Sequence, residues 1–576
     1  MKKLSFLFLS LLFTLQIFAQ TGNFDFKKLE KDIRQVVQRA YDASVYITPY
    51  DSVSNRPKGG SFSGVVIDTT GHVLSAAHAV KPGDLYEITF PDGKKFKAVG
   101  LGRIPRNDAA MLKIKDKGSW PYTPMGWSSS LKKDMPCVSI AYPGTVGAKT
   151  PTIRLGYIAE TETKEGFIRS TCLMEPGDSG GPVFDMKGRV IGLHSKIDLS
   201  LDDNFEIPVD LYRKYWNALT KPASYAERPE ATIVPEDPQA RELKDLPEIT
   251  QLNVISEKLN ERLNKTSFKL KSTSGGTELQ ILGTLVKPDG FLPETALKNK
   301  SFLLSKSSMV GDNPILELSV AKSTPAKVIR RDEANDLVLL QVDHKLKDGI
   351  ALGTIAIDSV VATDLGKLLT SPQPGNRVLV SILGNTPISI AKGPNPAFIG
   401  IGTDLKDGKV VIVNIQPRSP ASTAALETGD EVLSFNGKPI LKAEDLSKEM
   451  AAYKPNDTVN LQLSRAGVPF FKRIALKPRR MAERHIAYRF TDGRSERRTD
   501  FGSVLIHDGK LKPSECGGPL YGIDGRFYGV NIARLSRTSS LAIPAAIIQK
   551  FVKQSLTEMK EQAMLNYTTF DAPNWQ

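Results

Sequence analysis

Three short stretches of the 576-residue chain carry side chains whose types and order suit acyl transfer. The run Pro176-Gly177-Asp178-Ser179-Gly180-Gly181-Pro182 sets a serine among glycines, whose backbone freedom lets amide N–H groups converge on one point. A serine hydroxyl is a poor nucleophile at neutral pH and needs a general base, with a third group to orient that base. Ser75-Ala76-Ala77-His78-Ala79-Val80 offers the base after a turn and strand (Gly71, then Val73 and Leu74). Asn107-Asp108-Ala109-Ala110-Met111-Leu112-Lys113-Ile114 puts a carboxylate at the head of an apolar strand. A lone histidine is more often a satisfied core residue, and an aspartate opening a strand is often only a turn. The three together, in the order His, Asp, Ser, point to a triad of His78, Asp108 and Ser179. His72 and His194 read as surface or strand residues.

On these motifs, residues 40–220 resemble a trypsin-fold serine protease of the bacterial HtrA/DegP type. The resemblance implies a mainly β protein with two six-stranded barrels and the triad in the cleft between them. It also implies that His78 takes the Ser179 proton, that Asp108 holds the imidazole tautomer, and that the N–H groups of Gly177 and Ser179 bind the oxyanion. Asp178 departs from the asparagine common in that family. In digestive trypsin-like enzymes such an aspartate pairs with a newly cut N-terminus, but the helix-like stretch from Phe26 to Ala43 offers no obvious activation site. Leu173, six positions before Ser179, would favour an apolar P1 residue if it floors the specificity pocket.

The length suits three or four domains. Residues 1–19 have the pattern of a signal peptide, with Lys2 and Lys3, an apolar run from Leu4 to Phe18 and a cut before Gln20. The apolar run is shorter than the ~20 residues a spanning helix needs, so an exported protein with no transmembrane span is expected. The expected compartment is the periplasm, with the extracellular space as alternative. Cys137 and Cys172 fall on strands of one barrel and either pair or stay as buried thiols. No spacing suggests a metal, and no cofactor is implied. The net charge of +14 is densest from Arg479 to Arg498, interleaved with Glu483, Asp492 and Glu496. Mixed charge of this kind reads as a solvated face, and no nucleic acid is expected.

The protease domain is taken as 26–220. Prolines between 221 and 251 read as an extended linker, and a short helix should follow from Leu252 to Leu263. Beyond it the chain repeats itself. Gly283 to Leu292 echoes Gly64 to Val73, Ala334-Asn335-Asp336-Leu337 echoes the Asp108 segment, and Pro513-Ser514-Glu515-Cys516-Gly517-Gly518-Pro519 aligns with Pro176 to Pro182. A second trypsin-like fold is expected, split into 252–392 and 480–556, with 557–576 as a tail. Cys516 replaces the serine, and setting Gly290 against Gly71 puts Leu297 in the histidine's place. A cysteine needs a base or an electropositive setting to become thiolate, so this copy reads as a pseudoprotease, with His485 and His507 the only nearby candidates to rescue it.

The interruption, residues 393–479, resembles a PDZ domain. The resemblance rests on Phe398-Ile399-Gly400-Ile401, on Val413-Asn414-Ile415 leading to Ser419-Pro420-Ala421, and on Leu426 to Gly437. It implies that Phe398, Ile399, Gly400 and Ile401 form the loop that receives a C-terminal carboxylate while the peptide adds a strand. The expected function is a serine endopeptidase acting on polypeptides, with unfolded or damaged envelope proteins as substrates and a homo-oligomer among the assemblies left open. The alternative is an inactive peptide-binding or chaperone-like scaffold.

Overall fold

The computed structural model describes residues 25–570, apart from 54–55, 148–149, 244–262, 275, 292–298, 320, 356–358, 376, 392–396, 418, 451, 454–456, 479–484 and 491. The signal-like segment 1–19, nearly all of the 252–263 helix, and Leu297 lie outside the described residues.

Alternating and fully apolar strands close into four antiparallel six-stranded barrels, all with strand order 1-2-3-6-5-4. The first is built from Ser44–Asp51 to Ala109–Ile114 and the second from Pro136–Ala141 to Asn204–Pro208. The third spans Ser267–Ser274 to Leu337–Val342, and the fourth Leu368–Gln373 to Ser540–Pro544. The chain is therefore mainly β, with two trypsin-like double barrels. A separate compact unit, Lys392–Arg484, is inserted between the second and third strands of the fourth barrel. It holds a sheet with the path Ile401–Lys406, Lys409–Ile415, Glu431–Phe435, Thr458–Arg465, Val468–Ala475 around its own apolar core, as a PDZ domain requires.

The two trypsin-like folds belong to one unit and share a core. The helix Phe26–Ala40 starts at an Asp25 cap, whose carboxylate accepts the Lys28 N–H at 2.9 Å. It buries Leu29, Ile33, Val36, Val37 and Ala40, one face at helical spacing. That face packs among second-barrel residues and also against Leu365, Leu368 and Ile382 of the fourth barrel. Arg34 donates to the Thr363 carbonyl at 2.9 Å, and Glu30 accepts the Leu368 N–H at 2.8 Å. In the other direction Val146 of the protease fold joins the core of the second fold.

Three expectations are corrected. The 221–251 stretch is extended but not a free spacer over its described part, because burial and pairing hold it on the second barrel. The Arg189 guanidinium bonds Asp237 at 2.9 and 3.1 Å, Trp127 Nε1 donates to the Pro235 carbonyl at 2.8 Å, and Leu243 is buried. Residues 557–570 are not a separate tail but continue the helix Ala545–Phe570, whose Ile548, Phe551, Val552 and Leu556 are buried in the second fold. The arginines of 494–498 are not a plain solvated face. Arg497 donates to the Glu333 and Ala334 carbonyls, Arg498 donates to that of Ser495, and burial draws Arg494 down to about 10.

Candidate active site

His78 follows the strand His72–Ala76, and Asp108 precedes Ala109–Ile114, the strand it pairs with. Asp108 takes a left-handed backbone, φ 57°, which turns its carboxylate back toward His78. It accepts the His78 N–H at 2.9 Å and meets His78 Nδ1 at 2.9 and 3.1 Å. A third donor, the Ser195 hydroxyl, reaches Asp108 at 2.6 Å. Sequence reasoning missed Ser195. It sits where the register between Val190–Ile197 and Asn204–Pro208 shifts, and a bulge there re-aims the side chain into the cleft. Only a bulge prediction could have singled it out.

The hydrogen bond to the Asp108 carboxylate raises the His78 pKa above its usual value, against burial, which lowers it. The imidazole is 49 % exposed, so substrate can reach it. Ser179 is partly exposed, and its carbonyl accepts the Ser63 N–H at 2.9 Å, tying the loop to the first barrel. Among the described residues no hydrogen bond joins Ser179 to His78, and the N–H groups of Gly177 and Ser179 have no protein acceptor. Gly177 has φ 104°, and a Cβ there would lie 2.6 Å from Gly144 N and Tyr142 O, so only glycine fits.

Asp178 finds its partner inside the barrel. Arg154, fully buried, grips both carboxylate oxygens at 2.6 and 2.7 Å and donates to the Leu173 carbonyl at 2.7 Å. Burial pushes the Asp178 carboxyl up, against the pull of the guanidinium. A new N-terminus is not needed to satisfy this aspartate. Leu173 itself is buried. His72 bonds Asp68 at 2.6 Å on its strand. His194 is a strand residue but not a surface one. It is fully buried, bonded to the Ser139 hydroxyl at 2.6 Å and held well below its usual pKa by desolvation. Cys137 and Cys172 are buried free thiols with sulfurs 3.6 Å apart.

The second fold repeats the backbone of this framework, with the buried Lys306 ammonium on Asp336 where the Ser195 hydroxyl meets Asp108, and the repeat corrects the histidine's counterpart. Ala76 pairs with Ala109, and Lys306 pairs with Leu337. Two residues on from each stand His78 and Ser308. Ser308 donates its N–H to Asp336 at 2.7 Å and its hydroxyl at 2.9 Å, as His78 does to Asp108. Ser308, not Leu297, therefore occupies the histidine's place. Eighteen positions separate Gly290 from Ser308 and only seven separate Gly71 from His78, so an ungapped match falls eleven residues short. Cys516 is buried beside Ser495, at 3.8 Å, and burial raises its thiol pKa. His507 bonds Asn531 at 3.0 Å and is drawn down to about 3 by burial, while His485 caps the Ala487 N–H.

In the inserted unit Gly400 has φ 91°, and a Cβ would lie 2.1 Å from that of Ser419. Ile399 is buried, its carbonyl accepts the Ala421 N–H at 2.9 Å, and the Gly400 carbonyl accepts that of Gln416 at 2.8 Å. The N–H groups of Ile399 and Gly400 have no protein acceptor among the described residues. Phe398 ends a short strand paired with Lys477, and Ile401 opens a strand at the edge of the sheet.

A double β-barrel carrying this constellation, with a PDZ domain in the same chain, is the trypsin-like peptidase class. Family models agree. The trypsin-like peptidase domain matches residues 62–193, and the PDZ domain matches residues 397–470. The chain resembles the HtrA/DegP-type proteases. It is 25 % identical over 425 residues to "Probable periplasmic serine endoprotease DegP-like" of Pseudomonas putida, covering 70 % of this chain and 77 % of that one. The protein of the same name from Pseudomonas fluorescens is 26 % identical over 418 residues, with the same coverage of both. A crystal structure of the serine endoprotease from Yersinia pestis is 15 % identical and covers 77 % of this chain and 97 % of its own, with a TM-score of 0.28. Among the described residues no helix is long and apolar enough to cross a membrane, and no cluster of side chains suits a metal ion.

Proposed function

We propose that this protein is an exported, periplasmic serine endopeptidase whose first trypsin-like fold performs the chemistry. The observation that carries the reading is the convergence of His78, Ser195 and the Asp108 carboxylate beside a loop with two free N–H donors at Gly177 and Ser179. Ser179 Oγ attacks the scissile carbonyl carbon as its proton passes to His78 Nε2. The carbonyl oxygen, now anionic, takes the two N–H groups. His78 returns the proton to the leaving amine, and water then cleaves the acyl-enzyme by the same exchange. The His78–Ser179 hydrogen bond forms when substrate binds, since such contacts tighten in the Michaelis complex.

Substrates are unfolded or damaged envelope proteins, cut after apolar residues if Leu173 floors the pocket. The second fold is silent because Ser308 replaces the base and Cys516 is buried with a raised pKa. The PDZ domain binds C-terminal peptides through Phe398, Ile399, Gly400 and Ile401. The periplasmic location rests on the signal-like first 19 residues and on the names of the relatives. Digestion of unfolded casein tests the reading. Wild type and Cys516→Ala should cut equally and Ser179→Ala should not. Equal slow cutting by wild type and Ser179→Ala would instead support the inactive scaffold.

A further inference from the structure

The second trypsin-like fold reaches the loop that carries Ser179, and the contact is specific. Residues 173–177 are held at five points. Arg154 holds the Leu173 carbonyl at 2.7 Å, and Asn204 Oδ1 accepts the Met174 N–H at 3.2 Å. The Glu175 carboxylate accepts the Thr145 N–H at 3.1 Å, and the Pro176 carbonyl takes the Gly144 N–H at 2.8 Å. The Gly177 carbonyl takes the Ser63 hydroxyl at 2.8 Å. Two of these anchors are gripped from the other fold. Thr538 Oγ1 donates to the second Glu175 oxygen at 3.0 Å. Arg537 donates to Asn204 Oδ1 at 3.4 Å and to the Ser200 and Asp203 carbonyls beside it.

The 534–540 corner that supplies these groups is rigid. Arg534 is fully buried and bonds the Gly509 carbonyl at 2.6 Å, the Ser540 hydroxyl at 3.2 Å and the Arg537 carbonyl. Arg494, Arg534 and Arg537 all place their charge where Glu175 feels it. The joint beneath is continuous, since Asp508 accepts the Leu155 N–H of one fold and the Ile382 N–H of the other, each at 2.8 Å. Among the described residues the grip has no counterpart in the second fold's own loop. There the residue matching Glu175, by the turn it makes to Glu515, is Lys512.

We propose that Thr538 and Arg537 are positioning residues for the Ser179 loop, so that the silent fold acts as a built-in brace that sets the oxyanion donors of the active one. The chain from Thr538 to Glu175, through the Glu175–Asp178 turn, to Gly177 and Ser179 is short and buried as far as Asp178, so a shift at one end is transmitted to the other. The inference rests on Ser179 being the nucleophile. Its effect falls on the transition state, where the oxyanion donors act, and so on kcat rather than KM.

The test uses the full-length chain with Thr538→Val, which keeps the shape and removes the donor, and Thr538→Ser, which restores it. Two rates are read, fluorophosphonate labelling of Ser179 and kcat on a fluorogenic peptide. Thr538→Val should slow both about 10-fold with KM little changed, as loss of one hydrogen bond to a charged group allows, and Thr538→Ser should recover them. Arg537→Gln should act in the same direction, and it reports independently if Thr538→Val does not fold. Wild-type labelling by folded Thr538→Val or Arg537→Gln would overturn the brace, as would a loss confined to KM or one that serine does not restore. A wild-type protein that is not labelled at all fails the earlier reading instead, so the two failures are distinct.

Discussion

Replacing Arg154 with methionine isolates the ion pair that shapes the Ser179 loop. Both partners are out of solvent, the guanidinium meets both Asp178 oxygens, and among the described residues the only other donor to that carboxylate is the Glu175 N–H at 2.9 Å. With Arg154 gone, a charge stays buried with one hydrogen bond, and breaking such a pair costs about 3–5 kcal/mol. Removing both charges, as Arg154→Met with Asp178→Leu, leaves packed apolar side chains and should cost about 1 kcal/mol for each of two lost bonds, that from the Glu175 N–H and that to the Leu173 carbonyl, the second of which Arg154→Met alone also loses. The double variant should therefore be at least about 2 kcal/mol more stable than Arg154→Met alone. Urea unfolding followed by tryptophan fluorescence reads this directly, because Trp120, Trp127 and Trp216 all lie in the first fold. The reasoning fails if Arg154→Met unfolds within about 1 kcal/mol of wild type, or if the double variant loses as much as the two single changes together.

Three further outcomes follow from the same geometry. The His78 pKa is raised by the Asp108 hydrogen bond, and the neutral imidazole is the base. The acid limb of kcat/KM should thus have its midpoint above 6.5, and Asp108→Asn should cut kcat by about 10⁴-fold; a limb below 6.5 contradicts the pairing. The ion pair's own contribution to stability runs the other way, complete below the unfolded pKa and lost as pH rises through the folded one. Asp508, partly buried, is pushed up to about 6 by desolvation. It binds its proton more tightly folded than unfolded, so its titration should stabilise the protein by about 3 kcal/mol as pH falls from above 6 to below 4. Subtracting urea unfolding curves of Asp508→Asn from wild type should isolate that slope, and parallel curves would refute it. In the PDZ unit, Gly400→Ala forces a Cβ onto Ser419, so fluorescence anisotropy should show loss of binding to peptides with a free C-terminal carboxylate. Unchanged binding would remove the 398–401 loop from the site.

The barrels, the insertion and the candidate triad were legible because each is written in local strings. Glycines flank Ser179 and Cys516, strands alternate, and Asp108 and Asp336 each stand before an apolar run. What stayed hidden depends on distance in three dimensions. Arg154 lies 24 residues from Asp178, and nothing around it marks a buried cation. Ser195 depends on a bulge, which periodicity does not reveal. Ser308 was masked by a longer loop that put an ungapped match on Leu297. Prolines between 221 and 251 correctly exclude helix, but the docking of that stretch depends on Arg189 and Asp237 meeting across 48 residues.

The central claim is that Ser179 alone is the nucleophile of this chain. Full-length protein treated with a fluorophosphonate and mapped by peptide mass spectrometry should carry one adduct, on the Ser179 peptide, absent in Ser179→Ala and in His78→Ala. An adduct on another residue, or an unlabelled wild type, would contradict it.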